Sequence, residues 1–492
     1  MKTLLTAVVA IALYEALRHA FMKRTKAAFQ RRARGFAEQH GVRVDLFKFG
    51  GKLLVREELL NDPYVLNAMS EAVKRGDRPT VVRDQVEEYI DEIVPAFSLT
   101  AYFEFGMKLA SAAIHAVYTP LVVRKPRALP ENATAVFLIN HRSNFDYVVV
   151  GWALARQVAI SYAVGEWARV FPLDFIFKAF GGFFVRRGFP DPLYHSVLRR
   201  YLQLITRRGV TQGIFPEGGL TRDGALRSPK VGLLDALLQL SSEQGFEREL
   251  YFVPVGINYD RVLEDNALLQ EARGKARPPT AGEKLRGALK LIAIVPWRIF
   301  VNLLRVATGR LHRAGYVAVA FGEPVRLRDL PQAKLLATAN HEERRGIAKE
   351  VAALLMDRIA RVVPATPVPL VAQAALELGE TDKNALIIRV RELKAELESL
   401  RVPVALGREF DPHRTAREEL QDDEDRNRDL ARLTGDLLDS EEAEQIVRLG
   451  LKRLVQRGAL KRDGDRVGRG AHPELLDYYA RSLACLAQRT KA

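Results

Sequence analysis

Cysteine is almost absent from this chain of 492 residues. Cys485 stands alone, which excludes an internal disulfide and fits a reducing compartment. Low-complexity tracts and internal repeats are lacking. With 48% hydrophobic and 27% charged residues, the composition is that of a folded protein long enough for two or three domains. Acidic residues are in deficit, 60 against 75 Lys and Arg, and the net charge of +15 implies an anionic partner without naming it. Nucleic acid, an anionic membrane surface and phosphorylated substrates all satisfy that charge. No Gly-x-Ser-x-Gly elbow surrounds Ser143, and no spacing of His and carboxylates demands a metal.

The N-terminus also lacks something. Its apolar stretch, residues 4–13, meets Glu15 and Arg18 well short of the ~20 residues that a spanning helix needs. Lys23, Arg24, Lys26, Arg31, Arg32 and Arg34 follow it. A secretory signal peptide has the reverse order, with its positive charge ahead of the apolar run. The pattern predicts an interfacial anchor whose basic flank faces anionic lipid on the cytoplasmic side; the alternative is an amphipathic helix packed on the protein's own core. Residues 45–94 read as helical and charged, with no chemistry in them. Residues 97–123, apolar and aromatic, read as a buried helical hairpin or a second membrane-facing element.

From about residue 121 to 330, short apolar runs alternate with helical patterns, which predicts one α/β domain with a largely buried sheet flanked by helices. The predicted strands are 135–139, 158–163, 182–186, 212–215, 251–257 and 316–321. Helices are expected at 193–207 and 229–240. Residues 285–309 interrupt this alternation with an apolar run carrying Lys290, Arg298 and Arg305. It reads equally as a helix at a membrane interface and as a buried helix. Strand signals nearly vanish after residue 332. Helical patterns at 341–362, 369–378, 385–400, 416–437, 441–456 and 473–488 predict a separate helical domain. The expected division is 1–120, 121–330 and 331–492.

The chemistry concentrates in four blocks. Asn140-His-Arg-Ser-Asn-Phe-Asp146 follows the apolar run 135–139. On a regular helix, residues five apart are separated by about 140° and share no face. His141 therefore belongs in a loop, with Ser143 or Asn144 as N-cap and Asp146 in the first helical turn. His40/Asp45 and His472/Asp477 repeat the interval and are read as coincidences. The second block, 181–188 (Gly-Gly-Phe-Phe-Val-Arg-Arg-Gly), is a strand that ends in Arg186 and Arg187, either of which could present a guanidinium fork to a phosphate. In the third, residues 215–224, a strand leaves into a glycine-rich loop. Gly218 and Gly219 let the backbone approach an anion, and Glu217, Arg222 and Lys230 supply charge. The Gly-Lys-Ser/Thr ending of a Walker loop is missing. Glu217 reads as a second active-site carboxylate or as the neutraliser of Arg222. The last block, 253–261 (Val-Pro-Val-Gly-Ile-Asn-Tyr-Asp-Arg), is a site wall or plain structure.

In this order the blocks resemble the four motifs of the glycerophospholipid acyltransferase family. His141 and Asp146 match its His-x-x-x-x-Asp, 181–187 its Gly-x-Phe-Phe-[Ile/Val]-Arg-Arg, 215–218 its Phe-x-Glu-Gly, and 253–255 its Val-Pro-[Val/Ile]. The run Glu-Gly-Gly-x-Thr-Arg-x-Gly from Glu217, then Pro-Lys-x-Gly, resembles the glycerol-3-phosphate and dihydroxyacetone-phosphate acyltransferase branch, as do Tyr259-Asp-Arg and the C-terminal His472-Pro-Glu-Leu-Leu-Asp-Tyr-Tyr. The resemblance implies a glycerol-3-phosphate acyltransferase-like α/β fold and transfer of a fatty acyl group from an acyl thioester, on coenzyme A or acyl-carrier protein, to the sn-1 hydroxyl of glycerol 3-phosphate. Dihydroxyacetone phosphate and 1-acylglycerol 3-phosphate are the alternative acceptors.

The resemblance implies His141 as base and Asp146 as its orienter, with Arg186, Arg222 and Lys230 on the acceptor's phosphate and the Gly218–Gly219 amides nearby. It implies no cofactor and no metal. The partners expected are the donor, the acceptor and an anionic membrane surface, with no nucleic acid, and the location expected is the cytoplasmic face of the inner membrane, monotopic or peripheral. A hydrolase with Ser143 as nucleophile and a non-catalytic lipid-binding or nucleic-acid-binding protein are the competing classes.

Overall fold

The computed structural model describes residues 51–95, 107–154, 158, 160–165, 178, 181–186, 188–243, 245–274, 314–336, 338–407, 428–483 and 485–486. Residues 1–50 and 285–309, the two expected membrane elements, lie outside the described residues, as do Arg187 and the His40/Asp45 pair.

Before the sheet come helices α1 (Gly51–Leu60), α2 (Pro63–Lys74), α3 (Pro79–Ile93) and α4 (Met107–Val117). Asp62 caps α2, accepting from the amides of Tyr64 and Val65, with Pro63 at the first helical position where no donor is needed. The sheet then builds from β1 (Thr119–Arg124), β2 (Ala133–Ile139), β3 (Ser161–Gly165), β4 (Phe183–Val185), β5 (Gln212–Ile214), β6 (Glu249–Tyr259), β7 (Tyr316–Phe321) and β8 (Val325–Arg326). Between these strands run α5 (Asp146–Leu154), α6 (Pro192–Arg207), α7 (Gly232–Ser242) and α8 (Asp265–Ala272).

The strand order is β1-β7-β6-β2-β5-β3-β4, with β8 on β6. Strands β6, β2, β5, β3 and β4 pair in parallel, and β7 runs against β6. Such a sheet has helices on both faces, so its central strands are largely apolar. All seven residues of β2 are buried. Alternate residues serve different cores. Val136 and Leu138 pack with α1–α3, α6, α7 and α9 (His341–Ala360), while Phe137 and Ile139 pack with α5 and the C-terminal helices. Both cores therefore cross the residue numbers expected to divide the chain.

The C-terminal part comprises α10 (Pro367–Leu378), β9 (Thr381–Asp382), α11 (Lys383–Ser399), α12 (Arg428–Gln456), β10 (Leu460–Asp463), β11 (Arg466–Arg469) and α13 (Glu474–Ala480). Two findings differ from the expectations. Residues 119–123, the end of the stretch read as a helical hairpin or membrane-facing element, form most of β1, because β7 offers them a parallel partner from far along the chain. Strand structure also continues beyond residue 332, as a small antiparallel sheet ordered β10-β11-β9. Among the described residues, no helix is long and apolar enough to cross a membrane.

Candidate active site

The site lies where the adjacent strands β6, β2 and β5 end at their carboxyl edges, the usual place for ligands in an open α/β sheet. At the end of β2 the Asn140 amide makes a last backbone bond to the Val255 carbonyl at 3.4 Å, and the residue's side chain extends the pairing. The Asn140 carboxamide accepts from the Ile257 amide at 2.7 Å and donates to the Ile257 carbonyl at 2.9 Å. That anchor sets the start of the next loop against β6.

His141 follows in the loop, and Asp146 is the first residue of α5. Both are buried, and Nδ1 of His141 lies 3.0 Å from Oδ2 of Asp146. The same oxygen accepts from the amides of Arg142 at 2.7 Å and Ser143 at 3.1 Å, while the Tyr259 hydroxyl donates to Oδ1 at 2.6 Å. A carboxylate in this setting accepts only, so Nδ1 carries the proton and Nε2 is left for chemistry. The imidazole is wedged between aromatic rings, with Phe215 at 4.2 Å and Tyr147 at 5.7 Å between centroids.

Ser143 is otherwise engaged. Its hydroxyl donates to Glu264 at 2.8 Å and accepts from the Phe145 amide at 3.0 Å. No hydrogen bond joins it to His141, and a serine nucleophile needs that bond to be activated.

The glycine-rich loop closes the second side. Glu217 does not neutralise Arg222. Its Oε1 accepts from the His141 amide at 2.7 Å and its Oε2 from the Arg227 amide at 2.9 Å, and the Thr221 amide in turn donates to the His141 carbonyl at 3.0 Å. Glu217 thus ties the histidine backbone to the loop. Burial pushes its carboxyl up to about 7, against the pull of those two amides and of the Arg142 charge. Gly218 has φ +66°, and a Cβ there would meet Cγ of Lys230 at 2.8 Å, so the bare backbone lets Lys230 lie across the loop. Gly219 is buried behind it.

A cavity of about 550 Å³ opens beside Phe215 and Tyr147. Ala163, Val164, Val185, Leu198, Ile214 and Leu233 make most of it apolar, and Gly218, Lys230 and Arg186 also line it. The expected phosphate ligands separate here. Arg186 spends its fork on Glu92, with Nε at 2.9 Å and 3.1 Å from the two oxygens, and stacks over Phe189 at 4.6 Å. Glu92 and the surrounding rings hold its proton more firmly than usual. Arg222 is exposed and paired with Glu271. Lys230 has no ion-pair partner among the described residues. The reason is long-range: Glu92 and Glu271 lie far from these arginines in sequence, and no local pattern signals their approach.

Several residues hold the site in roles that the sequence did not assign, Tyr259 among them although its motif was read as a branch signal. Tyr259 and Glu264 hold the histidine loop. Arg227, without a carboxylate partner among the described residues, donates through Nη1 to the Leu220 carbonyl at 3.2 Å. Arg142 is 2% exposed and donates through Nη1 to the Gly224 carbonyl at 2.8 Å, leaving Nε and Nη2 without a hydrogen-bond partner among the described residues. Among the described residues, no group of three or more His, Cys, Asp or Glu is placed to hold a metal ion.

Comparison with known proteins agrees with the motif order. The acyltransferase family model matches residues 120–258, and the model of the glycerol-3-phosphate acyltransferase C-terminal region matches residues 300–427. The glycerol-3-phosphate acyltransferase of Aeromonas hydrophila is 29% identical over 78% of this chain and 47% of its own length. That of Actinobacillus succinogenes is 30% identical over 59% of this chain and 35% of its own length. The match thus spans less than half of each relative. The crystal structure of the 1-acyl-sn-glycerophosphate acyltransferase from Thermotoga maritima aligns over 62% of this chain and 95% of its own, with 16% identity and a TM-score of 0.29. The two family models thus identify an acyltransferase domain over residues 120–258 and a glycerol-3-phosphate acyltransferase C-terminal region over residues 300–427 of this chain.

Proposed function

We propose that this chain transfers a fatty acyl group from an acyl thioester, carried by coenzyme A or acyl-carrier protein, to the sn-1 hydroxyl of glycerol 3-phosphate. The observation that carries the reading is the buried His141–Asp146 pair, its tautomer held so that Nε2 can take a proton. The acceptor's hydroxyl attacks the thioester carbonyl as His141 removes its proton. The tetrahedral intermediate collapses, expelling the thiolate, which takes the proton back. Asp146 stabilises the imidazolium in between. No enzyme acyl intermediate is required. The apolar cavity suits the acyl chain, and Lys230 with Gly218 at its wall suits the phosphate, with Arg227 the second candidate cation.

The test compares acyl release from one thioester with glycerol 3-phosphate, dihydroxyacetone phosphate, 1-acylglycerol 3-phosphate or no acceptor. Glycerol 3-phosphate should give the fastest transfer. A clear preference for 1-acylglycerol 3-phosphate overturns the choice of acceptor, release without acceptor makes the protein a hydrolase, and no release leaves a lipid-binding protein.

We also propose attachment to the cytoplasmic face of a membrane through residues 4–17, the basic cluster behind them and residues 285–309. This rests on the sequence pattern alone. Deleting residues 1–35 should weaken pelleting with anionic vesicles. Full pelleting of the truncated protein in high salt would remove the N-terminal anchor from the account.

A further inference from the structure

The seven residues from the end of β6 to the start of α8, 259–265, face two ways. Toward the histidine loop, Tyr259 donates to Asp146, and Glu264 accepts from the Ser143 hydroxyl at 2.8 Å and from the Asn144 amide at 3.1 Å. Toward the C-terminal helices, Asp260 accepts from the Val368 amide at 3.0 Å and lies 3.6 Å from Arg453. Asp265, 2% exposed, receives both Nη groups of Arg457, at 2.7 Å and 2.9 Å, and the Tyr479 hydroxyl at 2.5 Å. The Tyr479 oxygen also accepts from the Val262 amide at 3.2 Å.

Helix α13 reaches the other catalytic loops too. The Arg142 guanidinium sits 5.6 Å from the Tyr478 ring centroid, and Arg481 pairs with Asp223 at 3.0 Å. Gly224 approaches so closely that a Cβ would lie 1.8 Å from the Tyr478 carbonyl oxygen. Every loop that holds His141 therefore rests on the C-terminal helices.

We propose that residues 259–265 act as a two-faced strut, through which the docking of α12 and α13 sets the geometry of the His141–Asp146 pair. Glu264, Tyr479 and Arg457 are then positioning residues. Each acts on the reaction only by holding the segment between His141 and Asp146 in place. This deepens the acyltransferase reading and rests on it for the kinetic arm of its test.

Tyr479→Phe removes one hydroxyl and leaves the ring filling its buried place. It should lower kcat about tenfold, the size of one hydrogen bond to a charged group, with both KM values within about twofold. Glu264→Gln should do the same. Because both changes loosen one segment, the double variant should lose much less than the product of the two single losses. Hydrogen exchange at the amides of Arg142, Ser143 and Asn144 gives a readout that needs no turnover. It should speed up several-fold in Tyr479→Phe, with the amides of α1–α3 unchanged. Unchanged exchange at residues 142–144 overturns the strut whether or not the wild-type chain transfers acyl groups. So do single losses that multiply fully. If Tyr479→Phe does not fold, Arg457→Lys, which keeps the charge and loses the two-pronged contact, is read by the same exchange measurement.

Discussion

His141→Ala lowers kcat by about 10²–10⁴-fold, the range that a positioned general base contributes. Acceptor KM should change little, since the cations that suit the phosphate lie on the glycine-rich loop. Asp146→Asn is the informative companion. Oδ2 of Asp146 accepts from three donors, while Oδ1 faces one hydroxyl that can itself accept. An asparagine can place its carbonyl on the triple-donor side and turn its NH₂ to the Tyr259 oxygen. The tautomer of His141 survives this change, and what disappears is the negative charge opposite the imidazolium. The expected loss is about 10- to 100-fold, smaller than for His141→Ala. His472→Ala serves as the control. The ring is largely exposed, and its nearest carboxylate is Glu474 at 3.6 Å rather than Asp477. Wild-type kcat is expected there, and loss of activity in a folded His472→Ala protein with His141→Ala active would remove the site from β2 altogether.

Glu217→Gln removes a pH-dependent penalty of about 3 kcal/mol from the folded state. The carboxyl is raised from an ordinary 4.5 to about 7 by burial. Between those values the folded chain keeps a proton that the unfolded chain gives up. This group's contribution to stability is therefore present below about pH 4.5 and lost as pH rises through about 7. Glutamine has no such titration. Denaturant unfolding of the wild type and the variant from about pH 4.5 to about pH 8 should show the difference moving in the variant's favour by about 3 kcal/mol as pH rises. A difference independent of pH would mean that Glu217 keeps an ordinary carboxyl. Activity should move the other way. The glutamine NH₂ must face the amide of either His141 or Arg227, donor against donor, so above about pH 7, where the wild-type carboxylate accepts at both oxygens, the histidine loop loses an anchor and kcat falls.

The two variants separate what local chemistry specifies from what it leaves open. Asp146 was expected in a first helical turn, and α5 begins on it, because a loop followed by an apolar helical run fixes that position through nearby residues alone. The strand that precedes it was equally legible: a sheet covered on both faces leaves an uninterrupted apolar run. Arg186 and Arg222 were not legible in this sense. Their sequence neighbours mark them as cations beside a glycine-rich loop, yet whether a guanidinium is available depends on which carboxylate folding brings to it. Glu92 arrives on α3 and Glu271 on α8, and neither is signalled by spacing or periodicity.

Helix α13 makes the same point at larger scale. Its residues read as a helical pattern that resembles the branch's C-terminal motif, and only packing puts Tyr479 on Asp265 and Tyr478 against Arg142. Sequence periodicity thus carried β2 and the main helices, and local geometry put His141 in a loop and Asp146 in a first helical turn, because backbone geometry within a few residues decides these. The roles of the pair came from the motif resemblance. The division of charges between ion pairs and substrate, and the support of the catalytic loop by the C-terminal helices, were decided in the folded chain. They rest on contacts between segments tens to hundreds of residues apart, whose approach is set by the packing of the two cores on either side of one sheet.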